Sequence, residues 1–233
     1  MTLPAILLSL LFLLPSKADV LIVQFPVKGK VSLSLGEKAK AEVERTGTVT
    51  KVAIQVEDLK APASVLAGMN TYVAWAVSPE GNFDNLGELE LSGTKGSLEA
   101  TTRFDRFSIM ITAEPHYMVD RPGAPFLYKN QAVRSVTSFP LIIEVGTYEY
   151  SSLPKGAPDV PALVMEARAA IAIAASAQAE SRAESEFRQA QVAIETMEEL
   201  FRRASPVDVV TPAAHAAIRR AQRAVFAARQ SVR

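Results

Sequence analysis

The sequence predicts an α+β chain divided by segments, with an antiparallel β-sandwich over residues 19–150 and an alanine-rich helical hairpin over residues 160–233. Two observations carry this prediction. Up to about residue 150, apolar and polar residues mostly alternate, which is the period of a strand with one buried face. The composition then changes, because residues 160–204 contain no glycine and their only proline is Pro161.

The first segment, residues 1–18, has the pattern of a secretory signal peptide. Residues 3–14 are apolar except for one proline and one serine, and they are too short to span a bilayer of roughly 30 Å as a helix. The small residues Ser16 and Ala18 fit cleavage before Asp19. No basic residue precedes the apolar run, so an uncleaved anchor and a buried strand or helix stay as alternatives. We expect an exported protein, periplasmic or extracellular.

Composition excludes several classes of function. Basic and acidic residues both number 25, so the formal net charge is zero and no global field attracts nucleic acid. The chain has no cysteine, which excludes disulfides, thiol catalysis, thiolate metal sites and a lipoprotein anchor. The apolar fraction of 48% is sufficient for a buried core.

Seven to nine short strands are expected in the sandwich segment. Turn-forming residues separate the apolar runs at residues 46–47, 78–82, 92–96 and 122–123. Short alternating runs with frequent turns are typical of an antiparallel sandwich. The clearest runs are residues 20–23, 31–35, 39–43, 52–56 and 107–113.

Tyr72 and Trp75 are predicted to anchor the core. They lie in one predicted strand, and Trp75 shares a face with Val73 and Val77. A large ring fills the centre of a sandwich well, so we prefer this interpretation of Trp75, the only tryptophan, to a role as a ligand platform.

Two helices are predicted after a linker at residues 151–159. The first, residues 160–204, has Asp159 as a candidate N-cap, and the second has Thr211 as N-cap, Pro212 in its first turn and its end at Arg233. A short loop joins them, which favours an antiparallel hairpin. Both carry apolar residues at the 4-3 spacing of a coiled coil: Ala183, Phe187, Ala190, Ile194, Met197, Phe201 and Ala204 in the first, and Ala214, Ile218, Ala221, Val225, Ala228 and Val232 in the second.

The predicted helices differ in length, and this leaves an alanine-rich stretch uncovered. At about 1.5 Å per residue the first helix is roughly 65 Å long and the second roughly 33 Å. Residues 163–179, which include Leu163 and Ile171, must therefore pack on the sandwich, on a second copy or on another envelope protein, or fold back after a break near Ser181. Leu163 and Ile171 are candidate partner-binding residues.

The second helix also carries a basic face. Five arginines and no acidic residue follow Pro212, and they lie opposite the apolar seam: Arg219, Arg220, Arg223, Arg229 and Arg233. A solvated face near a helix C-terminus explains them simply. The sharper hypothesis is contact with an anionic envelope component.

No catalytic set, metal site or cofactor site is predicted. The only histidines are His116 and His215, so a Ser-His-Asp arrangement is not credible. Glu114, His116 and Asp120 suggest a metal site only weakly, because Pro115 interrupts the strand and the spacing does not fix a geometry. We expect His215 to be solvated, and we expect a protein that is not an enzyme.

Residues 71–115 resemble a known family. Tyr72, Trp75, Gly81, Leu86, Gly87, Thr112, Glu114 and Pro115 match the pattern of the extracytoplasmic C-terminal domain of the anti-sigma-K factor family. The resemblance implies an immunoglobulin-like sandwich and a role outside the cytoplasm. Those factors have a sigma-binding domain and a membrane helix before the sandwich, whereas here a signal-peptide pattern and further strands precede Thr71. The resemblance therefore does not imply anti-sigma activity.

Three functional hypotheses follow. The first is an envelope scaffold or adaptor that self-associates or binds another envelope protein through its helices. The second is a glycan- or peptide-binding sandwich with Phe83, Tyr117, Phe126 and Tyr128 as candidate aromatic contacts. An exposed aromatic cluster favours the second, and buried rings favour the first. The third, an extracytoplasmic sensor, depends only on the family resemblance.

Overall fold

The computed structural model describes residues 16–24, 28–33, 38–124, 126–131, 137–146, 149–157 and 159–231. These residues form eleven strands and five helices. The strands are β1 Ser16–Gln24, β2 Lys28–Ser32, β3 Ala39–Thr46, β4 Val49–Val56, β5 Thr71–Val77, β6 Phe83–Glu88, β7 Glu90–Ser92, β8 Lys95–Thr102, β9 Arg106–Glu114, β10 Phe126–Lys129 and β11 Ser138–Val145. The helices are α1 Pro62–Val65, α2 Ala162–Ser176, α3 Ala179–Arg182, α4 Glu184–Arg202 and α5 Val207–Gln230.

The strands form two antiparallel sheets that face each other across a common core, followed by the helices, which confirms the predicted fold class. One sheet has the order β11-β1-β9-β5-β6, with β10 also paired to β9, and the other has the order β2-β3-β4-β8-β7. Eleven strands exceed the seven to nine predicted. Short strands such as β7 and β10 contain too few residues to show a period of two.

The five-stranded sheet buries one face only. In β3 and β4 the burial alternates along the strand, with Val43 and Val52 inside and Glu44 and Lys51 outside. Val43 pairs with Val52, and Glu44 pairs with Lys51. The sequence alternation is strongest here because the outer face of these strands is open to solvent.

Strand β5 is buried on both faces. Tyr72 and Ala74 belong to the main core between the two sheets. Trp75 packs on the other face, in a smaller cluster that includes Ile22 of β1 and Ile143 of β11. Tyr72 and Trp75 are both 0% exposed. Both predicted anchors are therefore buried, but in two different clusters: Tyr72 lies between the sheets, whereas Trp75, with Val73 and Val77, packs among residues of β1 and β11 on the other face.

The first predicted helix is three helices rather than one. Gln178 adopts a left-handed conformation at φ 58°, and Ala183 at φ −147° leaves the helical region, so the chain breaks on both sides of α3. The break allows α2 and α4 both to pack against α5. The hairpin predicted for residues 160–233 is therefore formed by α4 and α5, with α2 as an additional helix.

Two predicted helix starts are wrong. The N-cap of α2 is Pro161 rather than Asp159, and α5 begins at Val207, so Pro212 lies inside the helix. Pro212 is the sixth residue of α5, so it lies beyond the four N-terminal N–H groups that lack an intrahelical partner. It removes the N–H that would otherwise bond to the Asp208 carbonyl. The Thr-Pro pair therefore does not mark the start of this helix.

Residues 163–179 are covered by the chain itself. Val164, Ala167, Ala170 and Ile173 are buried, and they belong to the same core cluster as the inner faces of the sheets. Of the alternatives left open for this stretch, packing within the chain is the one observed, because α2 packs against α5 and α4 and shares a core cluster with the sandwich.

The two segment boundaries lie within packed structure. Of the predicted signal peptide, residues 1–15 lie outside the described residues, but Ser16 and Ala18 belong to β1, where Ala18 is 3% exposed and pairs with Ile143. The predicted linker contains a 3-10 turn and the buried residue Leu153. Among the described residues no helix has the length and hydropathy needed to cross a membrane.

Candidate functional site

The loop after β9, residues 115–123, joins the sandwich to the helices. It follows the end of β9 and contacts both α2 and α5 through polar groups. Asn85 of β6 donates from its side-chain nitrogen to the carbonyls of Tyr117 and Val119, at 2.9 and 3.0 Å, and so fixes the loop to the sheet. We call this loop, together with the helix residues Glu166, His215 and Arg229 that it contacts, the junction.

Tyr117 is the central residue of the junction. Its backbone N–H donates to Glu166 Oε2 at 3.0 Å. Its hydroxyl is 2.9 Å from His215 Nδ1, and the two rings meet edge to face at 5.4 Å between centroids. Burial raises the pKa of Tyr117, against the opposing effect of the Arg219 guanidinium. His215 is half-buried rather than solvated as predicted, because its ring, on α5, contacts Tyr117 of the loop.

Glu166 is a buried acid that contacts this loop. It lies in α2 and is 2% exposed. Burial, helped by the nearby Glu88 carboxylate, raises the pKa of Glu166 to about 8, while the hydrogen bond from Tyr117 opposes the shift. Glu88 itself accepts from the Thr71 hydroxyl at 3.0 Å. At neutral pH the Glu166 side chain is therefore mostly protonated, because its charged form is poorly solvated there.

An ion pair links the loop to the C-terminal part of α5. Arg229 of α5 pairs with Asp120 of the loop. Arg229 was a candidate for binding an external partner, and its charge is instead offset within the chain. The loop thus contacts α2 through Glu166 and α5 through His215 and Arg229, and these polar contacts attach the helical layer to the sandwich.

A buried hydrogen-bond chain supports the loop from below. Trp75 Nε1 donates to Thr112 Oγ1 at 2.8 Å, and Thr112 donates to Glu114 Oε1 at 2.5 Å. The Gly123 N–H donates to the same Glu114 oxygen at 2.6 Å. Trp75, Thr112 and Glu114 are residues on which the family resemblance depends, and here they join β5, β9 and the end of the loop.

The residues of the weakly suggested metal site have other contacts. Burial lowers the pKa of His116 to about 4, against the influence of Asp120, and its Nδ1 accepts from the Met118 N–H at 3.2 Å. Glu114 accepts from Thr112 and Gly123, and Asp120 pairs with Arg229. Within the described part of the chain, no three His, Cys, Asp or Glu side chains are grouped to hold a metal ion.

The outward face of α5 is the most basic exposed helix surface. Arg219, Arg220 and Arg223 are exposed, and none of them forms an ion pair with any residue that the structure describes. Phe226 follows on the same face with 59% of its surface exposed. A surface groove of about 480 Å³ is lined by Val192 and other residues of α4 and by Arg220 of α5.

Leu163 and Ile171, the other candidate partner-binding residues, are half-buried against the main core. The alanine-rich helix that carries them faces the protein, so neither offers a large apolar surface to a partner.

Sequence reasoning missed Glu166 and Phe226 as residues of interest. The available signals were a single acid in an alanine run and an aromatic residue at helical spacing from two arginines.

Three of the four candidate aromatic contacts, Phe83, Tyr117 and Tyr128, have different neighbours. The Phe83 ring packs edge to face on Trp75 at 6.4 Å, Tyr117 packs on His215, and Tyr128 is half-buried against the main core. The side chain of Phe126 lies outside the described positions. These half-buried rings, each with a different neighbour, make a common stacking platform for a glycan or peptide less favourable.

No family model, curated protein or solved structure matches this chain.

Proposed function

We propose that this chain is an exported, non-enzymatic envelope protein that acts as an adaptor through the outer face of α4 and α5. The observation that carries the proposal is the exposed α5 face, on which three arginines without ion-pair partners among the described residues accompany a largely exposed phenylalanine. Arginine and aromatic residues are enriched at protein interfaces relative to the rest of the surface, so this combination on one helix supports a binding surface.

The attachment of the helices to the sandwich through several polar contacts supports an adaptor role. Glu166, His215 and Arg229 each contact the loop at residues 115–123. Arg168 of α2 also makes two hydrogen bonds to Glu198 of α4, at 2.6 and 2.9 Å. A surface held in a fixed orientation on a rigid body loses little entropy when it binds. The sandwich thus serves as the support and the helical layer as the presented surface.

Export is supported by the apolar run at residues 3–14 and the small residues after it. Ser16, Lys17 and Ala18 pair with β11, so cleavage before Asp19 removes three paired residues of β1. A non-enzymatic role is supported by the absence of cysteine and by the small number of histidines, two, each of which has a contact within the chain.

The test is site-specific photo-crosslinking in intact cells. A photoreactive residue replaces Arg220 or Phe226 on the outer face, and control variants carry it at Leu91 or Ile142, which are exposed apolar positions on the sandwich. We expect a discrete crosslinked product from the envelope fraction with the outer-face variants only. Equal products from all four positions, or a cytoplasmic location, contradict the proposal.

Self-association through the same face is tested by the solution mass of the full chain. Light scattering during size-exclusion chromatography compares the wild type with Phe226→Glu, which places a charge on the exposed face without altering the core. A dimer that dissociates in the variant identifies a second copy as the partner. A monomer in both cases assigns the face to another envelope component.

A further inference from the structure

We propose that the outward face of α5 binds the surface of a membrane that contains anionic lipids. This inference deepens the proposed adaptor function and depends on it, because it names the chemistry of the component that the helical face contacts.

The spacing of the residues defines the binding face. Arg219, Arg223 and Phe226 follow one another at intervals of four and three, so they form a single stripe along the helix. The opposite side of α5 is buried against α2 and α4, through residues such as Ala217 and Ala221. The helix therefore lies flat on the protein with one stripe facing outward, which is the geometry for contact along a surface rather than insertion.

The charge of this stripe fits an anionic surface. From Pro212 to the end of α5 the helix has four arginines and no acid. Arg229 is offset by Asp120. Arg219, which neighbours the uncharged Tyr117 hydroxyl, and Arg223 remain on the stripe to attract phosphate groups, with Arg220 beside them at the α4 groove. Each basic residue near an anionic leaflet raises the affinity by about fivefold. Three arginines together are expected to raise it by about a hundredfold.

Phe226 distinguishes a lipid surface from a soluble acidic partner. Its ring is 59% exposed and lies one helical turn from Arg223. At a membrane surface, guanidinium groups reach the phosphates while an adjacent aromatic ring enters the boundary between headgroups and acyl chains. A polyanion in water offers the phosphate or carboxylate contacts but no apolar layer for the ring.

The measurement is co-sedimentation of the purified full chain with lipid vesicles. Vesicles of phosphatidylcholine alone are compared with vesicles containing phosphatidylglycerol. We expect binding to the anionic vesicles only, weakened about a hundredfold in the triple variant R219Q/R220Q/R223Q. A matched control, K40Q/K51Q/K60Q, removes three exposed positive charges from the sandwich side and is expected to bind like the wild type. Equal losses in both triple variants overturn the assignment to α5.

A second measurement follows the ring itself. In Phe226→Trp the new indole is exposed, whereas Trp75 is 0% exposed, so a blue shift on adding anionic vesicles, relative to wild type, reports entry into the interface. Soluble polyglutamate is the comparison, and an equal shift with it contradicts a lipid surface. Phe226→Ala is expected to weaken vesicle binding severalfold, and Ile142→Ala, at another exposed apolar position, is expected to leave it unchanged.

The two proposals fail in distinguishable ways. If the chain does not bind anionic vesicles but the outer-face variants still crosslink to one envelope protein, the lipid inference is wrong and the adaptor function stands. If neither vesicles nor envelope proteins contact this face, both are wrong.

Discussion

The sandwich and the helical layer fill their cores in different ways. The largest fully buried side chains of the sandwich include Trp75, Tyr72 and Phe107. In the helices only Met197 and Ile218 reach that class, and most other buried positions are alanines. Large side chains stabilise the sheets through buried apolar area, whereas small ones allow the helices to approach closely.

This difference indicates how each region depends on the other. An alanine buries little area, so a layer of short helices packed through alanine gains modest stability by itself. Here the layer shares a core with the sandwich and is fixed by Tyr117, Glu166 and His215. We therefore expect truncation of large residues to damage the sandwich and enlargement of small residues to damage the helices.

The largest effect is expected for Trp75→Ala. The substitution leaves a cavity between β5 and β1 and removes the donor to Thr112, so the free energy of unfolding should fall by about 3–5 kcal/mol. Urea unfolding followed by circular dichroism measures the change. Phe226→Ala, which truncates an exposed ring, is the control and should change stability by less than about 0.5 kcal/mol. A similar small loss for Trp75→Ala contradicts a second core.

The next effect concerns the junction and depends on pH. Because the folded pKa of Glu166, about 8, exceeds its ordinary value of 4.5, the unfolded chain releases this proton earlier than the folded chain. Protonated Glu166 makes its full contribution to the free energy of unfolding below pH 4.5. As the pH rises from 4.5 to about 8, this contribution is lost at about 1.4 kcal/mol per pH unit.

Glu166→Gln tests this linkage, since an amide oxygen still accepts from Tyr117 but does not titrate. Relative to wild type, the variant should become more stable between pH 5 and pH 7.5, by up to about 3 kcal/mol. Glu195→Gln, an exposed position on α4, is the control. Parallel pH profiles for wild type and Glu166→Gln contradict a buried, proton-retaining carboxyl.

The third effect tests close packing in the helical layer. Ala224 is 0% exposed, so Ala224→Leu adds volume where there is no space and should cost about 1–3 kcal/mol. Ala216→Leu makes the same chemical change at a half-exposed position of α5 and should stay within about 0.5 kcal/mol of wild type. Thermal unfolding of both variants decides the point, and equal midpoints contradict the comparison of the two cores.

The smallest effect concerns the start of the sandwich. A chain beginning at Asp19 lacks Ser16, Lys17 and Ala18, which pair with β11. Compared with a chain beginning at Ser16, it should be less stable by about 1 kcal/mol, through lost strand hydrogen bonds and lost burial of Ala18. Urea midpoints of the two purified chains measure this. No difference indicates that the first residues of β1 add nothing to the sheet.

The sequence predicts best those elements that have one buried face. The alternation in β3 and β4 gives their inner and outer residues directly. It fails for β5, because Val73, Trp75 and their neighbours Tyr72 and Ala74 are all buried, and a strand between two cores has no polar face to reveal its orientation.

The helical region shows the limits of heptad spacing. The seam residues from Ala183 to Met197 and from Ala214 to Ala228 are buried or half-buried. Ala204 is exposed beyond the end of α4, and Val232 lies outside the described residues. The spacing says nothing about the break at Gln178, which adopts a left-handed conformation. The junction was unpredictable for a related reason. Tyr117, Glu166 and His215 are far apart in sequence, and only the topology brings them together.

The most direct test of the central claim, that the sandwich and the helical layer share one core and so present the α5 face in a fixed orientation, is a two-probe unfolding experiment. Trp75 is the only tryptophan and reports on the sandwich by fluorescence, while circular dichroism at the helical band reports on the helical layer. With urea, the account predicts coincident transitions with one midpoint. Loss of helical signal at a lower urea concentration than the Trp75 transition contradicts it and makes the helical layer an independently unfolding unit.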